Sequence, residues 1–232
     1  MGTFVKMAQD AGWRQKKYLA GTSKLEGDTK KKKPSLQIIH WSKLNELPKR
    51  RYLIKDILDE EAFSVVYGAS NSGKTFFALD IACHVALGWI WQKKKVKKGS
   101  VIYIAGEGGL GISERLEAFR KHHRLNNYGN IYIIPQALIL IGENDYTENF
   151  LELVKNITDI KLIIIDTLAR SMNDGDENYA GDIGKFVQNC DIIRLKTKAH
   201  IMVIHHTGKD ERKGARGSSA LKAAIDTEIQ IS

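Results

Sequence analysis

Residues 68–75 have the sequence GASNSGKT, in which two glycines, a lysine and a threonine are spaced as G-x-x-x-x-G-K-[ST]. A short apolar run at 63–67 precedes this motif and predicts a buried strand, and helical spacing follows it over 75–82. In such a strand–loop–helix unit, a glycine-rich backbone directs N–H groups at phosphate oxygens, and the helix N-terminus favours their negative charge. The motif therefore predicts a nucleoside triphosphate site, with Lys74 on the phosphates and the Thr75 hydroxyl on Mg²⁺.

Asp166 ends a second apolar run, at 162–165. A carboxylate at the carboxyl end of a buried strand faces the crevice in which such sheets bind ligands. With Thr75, it is expected to hold Mg²⁺. Capping of a helix that follows at Thr167 is the alternative, and one aspartate can serve both roles. We expect ATP and Mg²⁺ as cofactors, with nucleotide contacts from Gly68, Ala69, Ser70, Asn71, Ser72, Gly73, Lys74, Thr75 and Phe76.

Two further polar residues follow predicted strands. Glu107 comes after the run 101–105, where a carboxylate can polarise a water for attack on the γ-phosphate. A nucleotide kinase does not need that group, so hydrolysis is favoured, although a glutamate can also stand here by chance. His206 ends the run 201–206 and is predicted to contact the γ-phosphate. His205 should point to the opposite side, and we reject a metal site at this pair because no other ligand pattern accompanies it.

A glycine-rich, basic loop follows His206 over residues 207–219. Its cations Lys209, Arg212 and Lys213 are predicted to contact the phosphates of DNA, and a solvated loop is the alternative. Lysines also form blocks at 30–33 and 93–98, and for each block alone a solvated surface is the simpler interpretation.

The order of elements predicts the fold class. From residue 63 onward, apolar strands alternate with helical patterns, which predicts an α/β fold with a mostly parallel twisted sheet and helices on both faces. Residues 1–43 are predicted to be a small N-terminal helix and basic linker, and residues 44–232 to be the main domain. The predicted strands are 63–67, 101–105, 131–134, 162–165, 200–204 and 227–231; the predicted helices are 73–87, 112–123, 147–156 and 183–196, with a long loop over 168–183.

Composition limits the class of protein. The 232 residues are 43% hydrophobic, which suits one well-buried domain, and a net charge of +9 suits a polyanionic partner. No apolar run is long enough to span a membrane, and the N-terminus does not have the pattern of a secretory signal. Cys83 and Cys190 form no C-x-x-C pair and are expected to be reduced core thiols. We therefore expect a cytoplasmic protein that does not bind membranes.

These motifs together resemble a known family. The strings GASNSGKT at 68–75, IIIDTLAR at 163–170, IHHTGK at 204–209 and RGSSAL at 216–221, with Glu107, look like the RepA-like branch of the RecA-type ATPases. That branch contains hexameric replicative helicases of plasmids and phages and the ATPase halves of phage primase–helicases. The resemblance covers residues 44–232, and a short match at 3–13 resembles a segment upstream of such domains.

The resemblance implies a RecA-like P-loop fold and a role for each motif residue. Lys74 and Thr75 would bind phosphate and Mg²⁺, Glu107 would activate water, Asp166 would support Mg²⁺, and His206 would sense the γ-phosphate. Members form rings in which a neighbouring subunit supplies an arginine finger, but the matching position here is Asp226. Arg216 is the residue we expect to act in trans; Lys222, or a residue outside this sequence, is the alternative.

The resemblance implies an ATP-hydrolysing DNA helicase or translocase that acts on single-stranded DNA as a hexameric ring in plasmid or phage-type replication. The alternative is an ATP-dependent DNA-binding switch, like a recombinase or loader, without unwinding activity. A small-molecule phosphotransferase is less favoured, because the segment 168–183 offers only Arg170 among many acidic residues for a lid.

Overall fold

The computed structural model of the chain describes residues 38–47, 49–106, 109–142, 145–206 and 219–232. The chain divides into two compact units, residues 1–48 and residues 49–232. In the first unit, the described residues contain a 3₁₀ helix at Trp41–Glu46, and the predicted helix at 3–13 lies outside the described residues. The second unit contains every other element described below.

Strands and helices of the second unit alternate along the chain, as the hydrophobic pattern predicts. The strands are β1 (Tyr52–Ile54), β2 (Leu58–Asp59), β3 (Phe63–Gly68), β4 (Ser100–Ala105), β5 (Ile131–Ile134), β6 (Ile160–Asp166), β7 (His200–His206) and β8 (Thr227–Ile231). The helices are α1 (Lys74–Leu87), α2 (Leu110–His122), α3 (Asp145–Val154), α4 (Leu168–Ser171), α5 (Ala180–Thr197) and α6 (Ser219–Ala224).

Six strands form one sheet in the order β5-β4-β6-β7-β3-β8, and each neighbouring pair is parallel. The predicted α/β class with a parallel sheet is confirmed. The antiparallel hairpin of β1 and β2 is separate from this sheet. The hydrophobic pattern does not predict the hairpin, because strands of three and two residues are too short to show a period.

Each face of the sheet buries its own apolar cluster, because successive residues of a strand point to opposite faces. On one face, Val66, Tyr103 and Ile164 pack with α1, α2 and the hairpin. On the other face, Val65 and Ile163 pack with α3, α4, α5 and α6. Helices therefore cover both faces, which explains why the strands are apolar along their whole length.

The connections define where a ligand crevice lies. The chain leaves β3 through α1 toward β4 on one side of the sheet, and it leaves β7 through α6 toward β8 on the other side. Adjacent parallel strands whose connections diverge in this way form a topological switch point, and ligands bind at the carboxyl ends of such strands. The crevice between β3 and β7 is therefore the place at which the fold accommodates a ligand.

The prediction of a long loop over 168–183 is wrong at both ends. α4 follows β6 after one residue and is held by buried Leu168, and α5 begins at Ala180, three residues before the predicted start. Cys83 and Cys190 are both buried free thiols, as predicted. None of the helices in the described part of the chain combines the length and apolarity that crossing a bilayer requires.

Candidate active site

The loop at 68–75 joins β3 to α1 at the carboxyl edge of the sheet. Gly68 lies so close to Ile231 O and to Ser72 Oγ that a β-carbon there would approach the serine oxygen to 2.7 Å. Gly73 caps α1 with φ of 93°, a backbone conformation that glycine adopts without strain. No side chain caps α1, so the N–H groups of its first turn remain directed into the loop.

Lys74 is buried, although lysine is seldom buried without partners. Its Nζ donates hydrogen bonds to Gly68 O at 3.0 Å and to Ala69 O at 2.6 Å, so the loop closes over the ammonium group. Ser72 Oγ is also buried and has no hydrogen-bond partner among the described residues. An ammonium inside a loop of backbone carbonyls, with an unpartnered hydroxyl beside it, fits a phosphate group that accepts from both.

Asp166 stands at the end of β6 with 9% of its surface exposed. Its Oδ2 accepts hydrogen bonds from Thr75 Oγ1 at 3.2 Å and from the Tyr103 hydroxyl at 2.6 Å. The residue that caps α4 is Thr167, so the alternative interpretation of Asp166 as a helix cap is wrong. The fold therefore brings together Thr75 and Asp166, the two residues that the sequence predicts for Mg²⁺.

Tyr103 also belongs to the site, although no motif of the sequence points to it. It is fully buried in β4, on the face that carries α1, and burial and the Asp166 carboxylate raise the pKa of its phenol. The hydroxyl therefore stays protonated and donates to Asp166. A tyrosine within an apolar strand looks like a core residue in the sequence, so only its partner across the sheet indicates this role.

His206 ends β7, and its Cα pairs in register with that of Gly68 in the neighbouring strand β3. It is half-exposed, whereas His205 is buried, which agrees with the predicted alternation. The buried Nδ1 of His206 has no hydrogen-bond partner among the described residues. Within that same part of the chain, no three His, Cys, Asp or Glu side chains converge on a metal site. A Mg²⁺ bound through one carboxylate and substrate phosphates needs no such cluster.

Phe76 is 61% exposed at the start of α1, and the Arg115 guanidinium lies over its ring, 4.8 Å from the centroid. Arg115 is a second residue near the site that no motif of the sequence predicts. It lies in the second turn of α2, which begins at the same edge of the sheet as the phosphate loop. A charged residue early in the helix after Glu107 is the signal that points to it.

Five predicted site residues lie outside the described residues, namely Glu107, Lys209, Arg212, Lys213 and Arg216. Their roles remain predictions. Gly106, the residue before Glu107 in the sequence, donates a hydrogen bond of 2.6 Å from its N to Asp166 O.

A family model described as the AAA domain matches residues 30–212, which is more than three quarters of the chain. The chain belongs to the AAA domain family. This AAA domain is a P-loop NTPase of the kind found in RecA-type helicase-like proteins, so the general family that the motifs indicate is supported. No curated protein sequence matches the chain. The matched residues include the phosphate loop, Asp166 and His206 of this AAA domain, which accordingly binds nucleotide.

Proposed function

We propose that this AAA domain hydrolyses ATP to move along single-stranded DNA, as a helicase or translocase of the RepA-like type in plasmid or phage-type replication. The observation that supports ATP hydrolysis best is the convergence of Thr75 and Tyr103 on Asp166, next to a phosphate loop that encloses Lys74. The DNA part of the proposal depends on the motif resemblance and on the predicted basic loop.

The residues present fit ATP and Mg²⁺. Lys74 would exchange the carbonyls of Gly68 and Ala69 for phosphate oxygens, and the unpartnered Ser72 hydroxyl would donate beside it. Thr75 and Asp166 would hold Mg²⁺, which when bound neutralises charge on the β- and γ-phosphates. The Thr75 hydroxyl would be a ligand of the metal, and Tyr103 would hold the Asp166 carboxylate through its hydrogen bond.

Hydrolysis requires a base and a cation at the γ-phosphate. We assign Glu107 as the residue that orients and deprotonates the attacking water. The assignment is supported by the residue before it, Gly106, whose N donates a hydrogen bond to Asp166 O. His206 lies opposite Gly68, the first residue of the phosphate loop, in the register of β7 and β3. We therefore propose that its side chain responds to loss of the γ-phosphate. Arg216 of a neighbouring subunit is proposed as the arginine finger of a hexameric ring.

Coupling to DNA is assigned to the segment after His206. Lys209, Arg212 and Lys213 follow the γ-phosphate sensor directly in the sequence, so a change at His206 would be transmitted to DNA-binding residues within a few positions. Lysine and arginine in a glycine-rich segment suit the phosphates of a single strand.

A strand-displacement assay together with ATPase measurements, each with and without single-stranded DNA, tests this function. A motor is expected to show DNA-stimulated ATP hydrolysis and ATP-dependent displacement of an annealed strand. DNA-stimulated hydrolysis without displacement or translocation would support the ATP-dependent DNA-binding switch and contradict the motor. Transfer of the γ-phosphate to a small acceptor, with no effect of DNA, would contradict both.

A further inference from the structure

Five exposed lysines, four in the segment between α1 and β4 and one in the β1–β2 turn that is hydrogen-bonded to it, make up a surface that we call the lysine ridge: Lys55, Lys93, Lys95, Lys97 and Lys98. None of the five has an ion-pair partner among the described residues. Two acidic groups beside the ridge pair with other lysines: Asp56 with Lys94 at 3.1 Å, and Asp159, which lines a surface pocket together with Lys97 and Lys98, with Lys161 at 2.9 Å. The ridge is therefore a concentration of uncompensated positive charge.

The backbone holds the ridge in a fixed shape. Lys55 N donates to Lys95 O at 2.9 Å, Lys97 N donates to Leu53 O at 2.8 Å, and Ile54 pairs with Val96. Val96 packs on the apolar cluster beneath, so Lys95 and Lys97 on either side of it project outward. Alternate residues of an extended segment are about 6.6 Å apart, a spacing similar to that of phosphates along a stretched single strand.

Fixed like charges repel one another and so reduce the stability of the folded state. A flexible tail can separate its lysines, but this segment is hydrogen-bonded to the β1–β2 hairpin and cannot. A polyanion that neutralises several of these charges at once would remove the repulsion and release its own counterions.

Trp89 stands next to the ridge, and Tyr128 lies two residues before Asn130, which lines a surface pocket together with Lys97 and Lys98. The aliphatic stem of Lys98 lies against Gly88, and the adjacent Trp89 ring is in edge contact with His123 at 5.4 Å. Tyr128 is 80% exposed, with the Arg120 guanidinium 5.5 Å from its ring centroid. Cations combined with accessible rings are typical of surfaces that bind single-stranded nucleic acid without sequence preference.

The ridge is distant from the nucleotide site. α1 begins at the phosphate loop and has 14 residues, so its far end is about 20 Å from the loop. The ridge follows that far end, at the sheet edge where β4 begins. Contacts there would not compete with ATP.

We propose that the lysine ridge is a second binding surface for single-stranded DNA, separate from the predicted loop contacts. The inference rests on the proposed action on single-stranded DNA. It adds a second place, distant from the ATP site, at which the strand is bound. The bases would stack near Trp89 and Tyr128 while Lys93, Lys95 and Lys97 contact successive phosphates.

The test replaces Lys93, Lys95 and Lys97 with alanine in the full chain and measures binding of a fluorescent oligothymidylate over a range of salt. The slope of log K against log salt is expected to fall in magnitude by about 2, because each lost single-strand phosphate contact removes roughly 0.7. The control replaces Lys155, Lys185 and Lys196, which are exposed on the other face, and should leave the slope unchanged. Nucleotide binding should be unchanged in both variants, which verifies folding.

A third variant, with alanine at Lys209, Arg212 and Lys213, separates the ridge from the loop. If only this loop variant loses binding, the ridge proposal is wrong and the proposed function stands. If the parent does not bind the oligonucleotide, both are wrong. Unchanged DNA binding in the ridge variant, with lost binding to phosphatidylcholine–phosphatidylserine vesicles, would assign the ridge to membranes and overturn the proposal.

Discussion

The Tyr103 hydroxyl donates a 2.6 Å hydrogen bond to Asp166 Oδ2, the same oxygen that accepts from Thr75 Oγ1 at 3.2 Å. Two donors on one oxygen fix the rotation of the carboxylate. Of these two donors, only the Thr75 hydroxyl belongs to the phosphate loop. A bound metal would therefore replace the hydrogen bond from Thr75 and leave the hydrogen bond from Tyr103 intact. We therefore expect Tyr103 to position Asp166 for Mg²⁺.

Replacing Tyr103 with phenylalanine should weaken Mg²⁺-dependent ATP binding by about tenfold, a typical cost of losing a group that orients a metal ligand. Binding of a fluorescent ATP analogue, titrated with Mg²⁺ and repeated with EDTA, measures this effect, and the affinity in EDTA should not change. Tyr67→Phe is the matched control, because its hydroxyl donates to Gln230 on the edge strand. Equal Mg²⁺ dependence in the two variants would contradict a positioning role.

Lys74→Ala should abolish ATP binding at concentrations that saturate the parent, because each lost charged hydrogen bond contributes about 1.5–3 kcal/mol. Isothermal calorimetry measures the affinity directly. Lys161→Ala is a suitable control, since this partly buried lysine pairs with Asp159 at the opposite edge of the sheet. Retention of parental affinity in Lys74→Ala would exclude the loop as the phosphate site.

Glu107→Gln should bind ATP normally and hydrolyse it about 10²- to 10⁴-fold more slowly, because a base acts on the water only in the transition state. Single-turnover hydrolysis of bound ATP separates this effect from binding. Glu114→Gln, an exposed position in α2, should retain parental turnover. If Glu107→Gln and the parent hydrolyse ATP at the same rate, another residue activates the water.

ATPase activity per subunit should rise with protein concentration, because an arginine finger from a neighbour contributes about 10³- to 10⁵-fold in rate. Arg216→Ala should remove this rise with little change in ATP affinity, while light scattering follows assembly. Arg115→Ala is the contrasting variant: Arg115 contacts Phe76 of its own subunit, so its effect should be the same at every protein concentration. Full turnover by a demonstrated monomer would contradict both the finger and the ring.

Folding stability should fall as the pH decreases from about 6.5 toward 4, because burial lowers the pKa of His200 to about 4. In that interval the unfolded chain binds a proton that the folded chain does not, so the free energy of unfolding decreases by up to about 1.4 kcal/mol per pH unit. In the folded protein, neutral His200 bonds Ser64 Oγ at 2.7 Å and Asp59 O at 2.8 Å. Urea unfolding of the parent and of His200→Gln across this range measures the difference, and identical slopes would contradict the assignment.

Short elements and cross-strand partners could not be read from the sequence. α4 and α6 have only four and six residues, too few to show a helical period, and each is held by one buried leucine, Leu168 or Leu221. Tyr103 and Asp166 are 63 residues apart, and their contact depends on the register that pairs Ala105 with Asp166. No local pattern carries that information.

The sequence by itself determined the phosphate loop and the fold class. The loop is local: its glycines and Lys74 act within eight residues, and the apolar strands can be buried on both faces only if helices alternate with them. The tertiary structure alone decided which side chains surround that loop. Strand order put β6 between β4 and β7, and this brought Tyr103 to Asp166, while the packing of α2 against α1 brought Arg115 over Phe76. Such contacts follow from the packing of distant segments around a common core, because burial of apolar surface acts between residues irrespective of their separation in the chain.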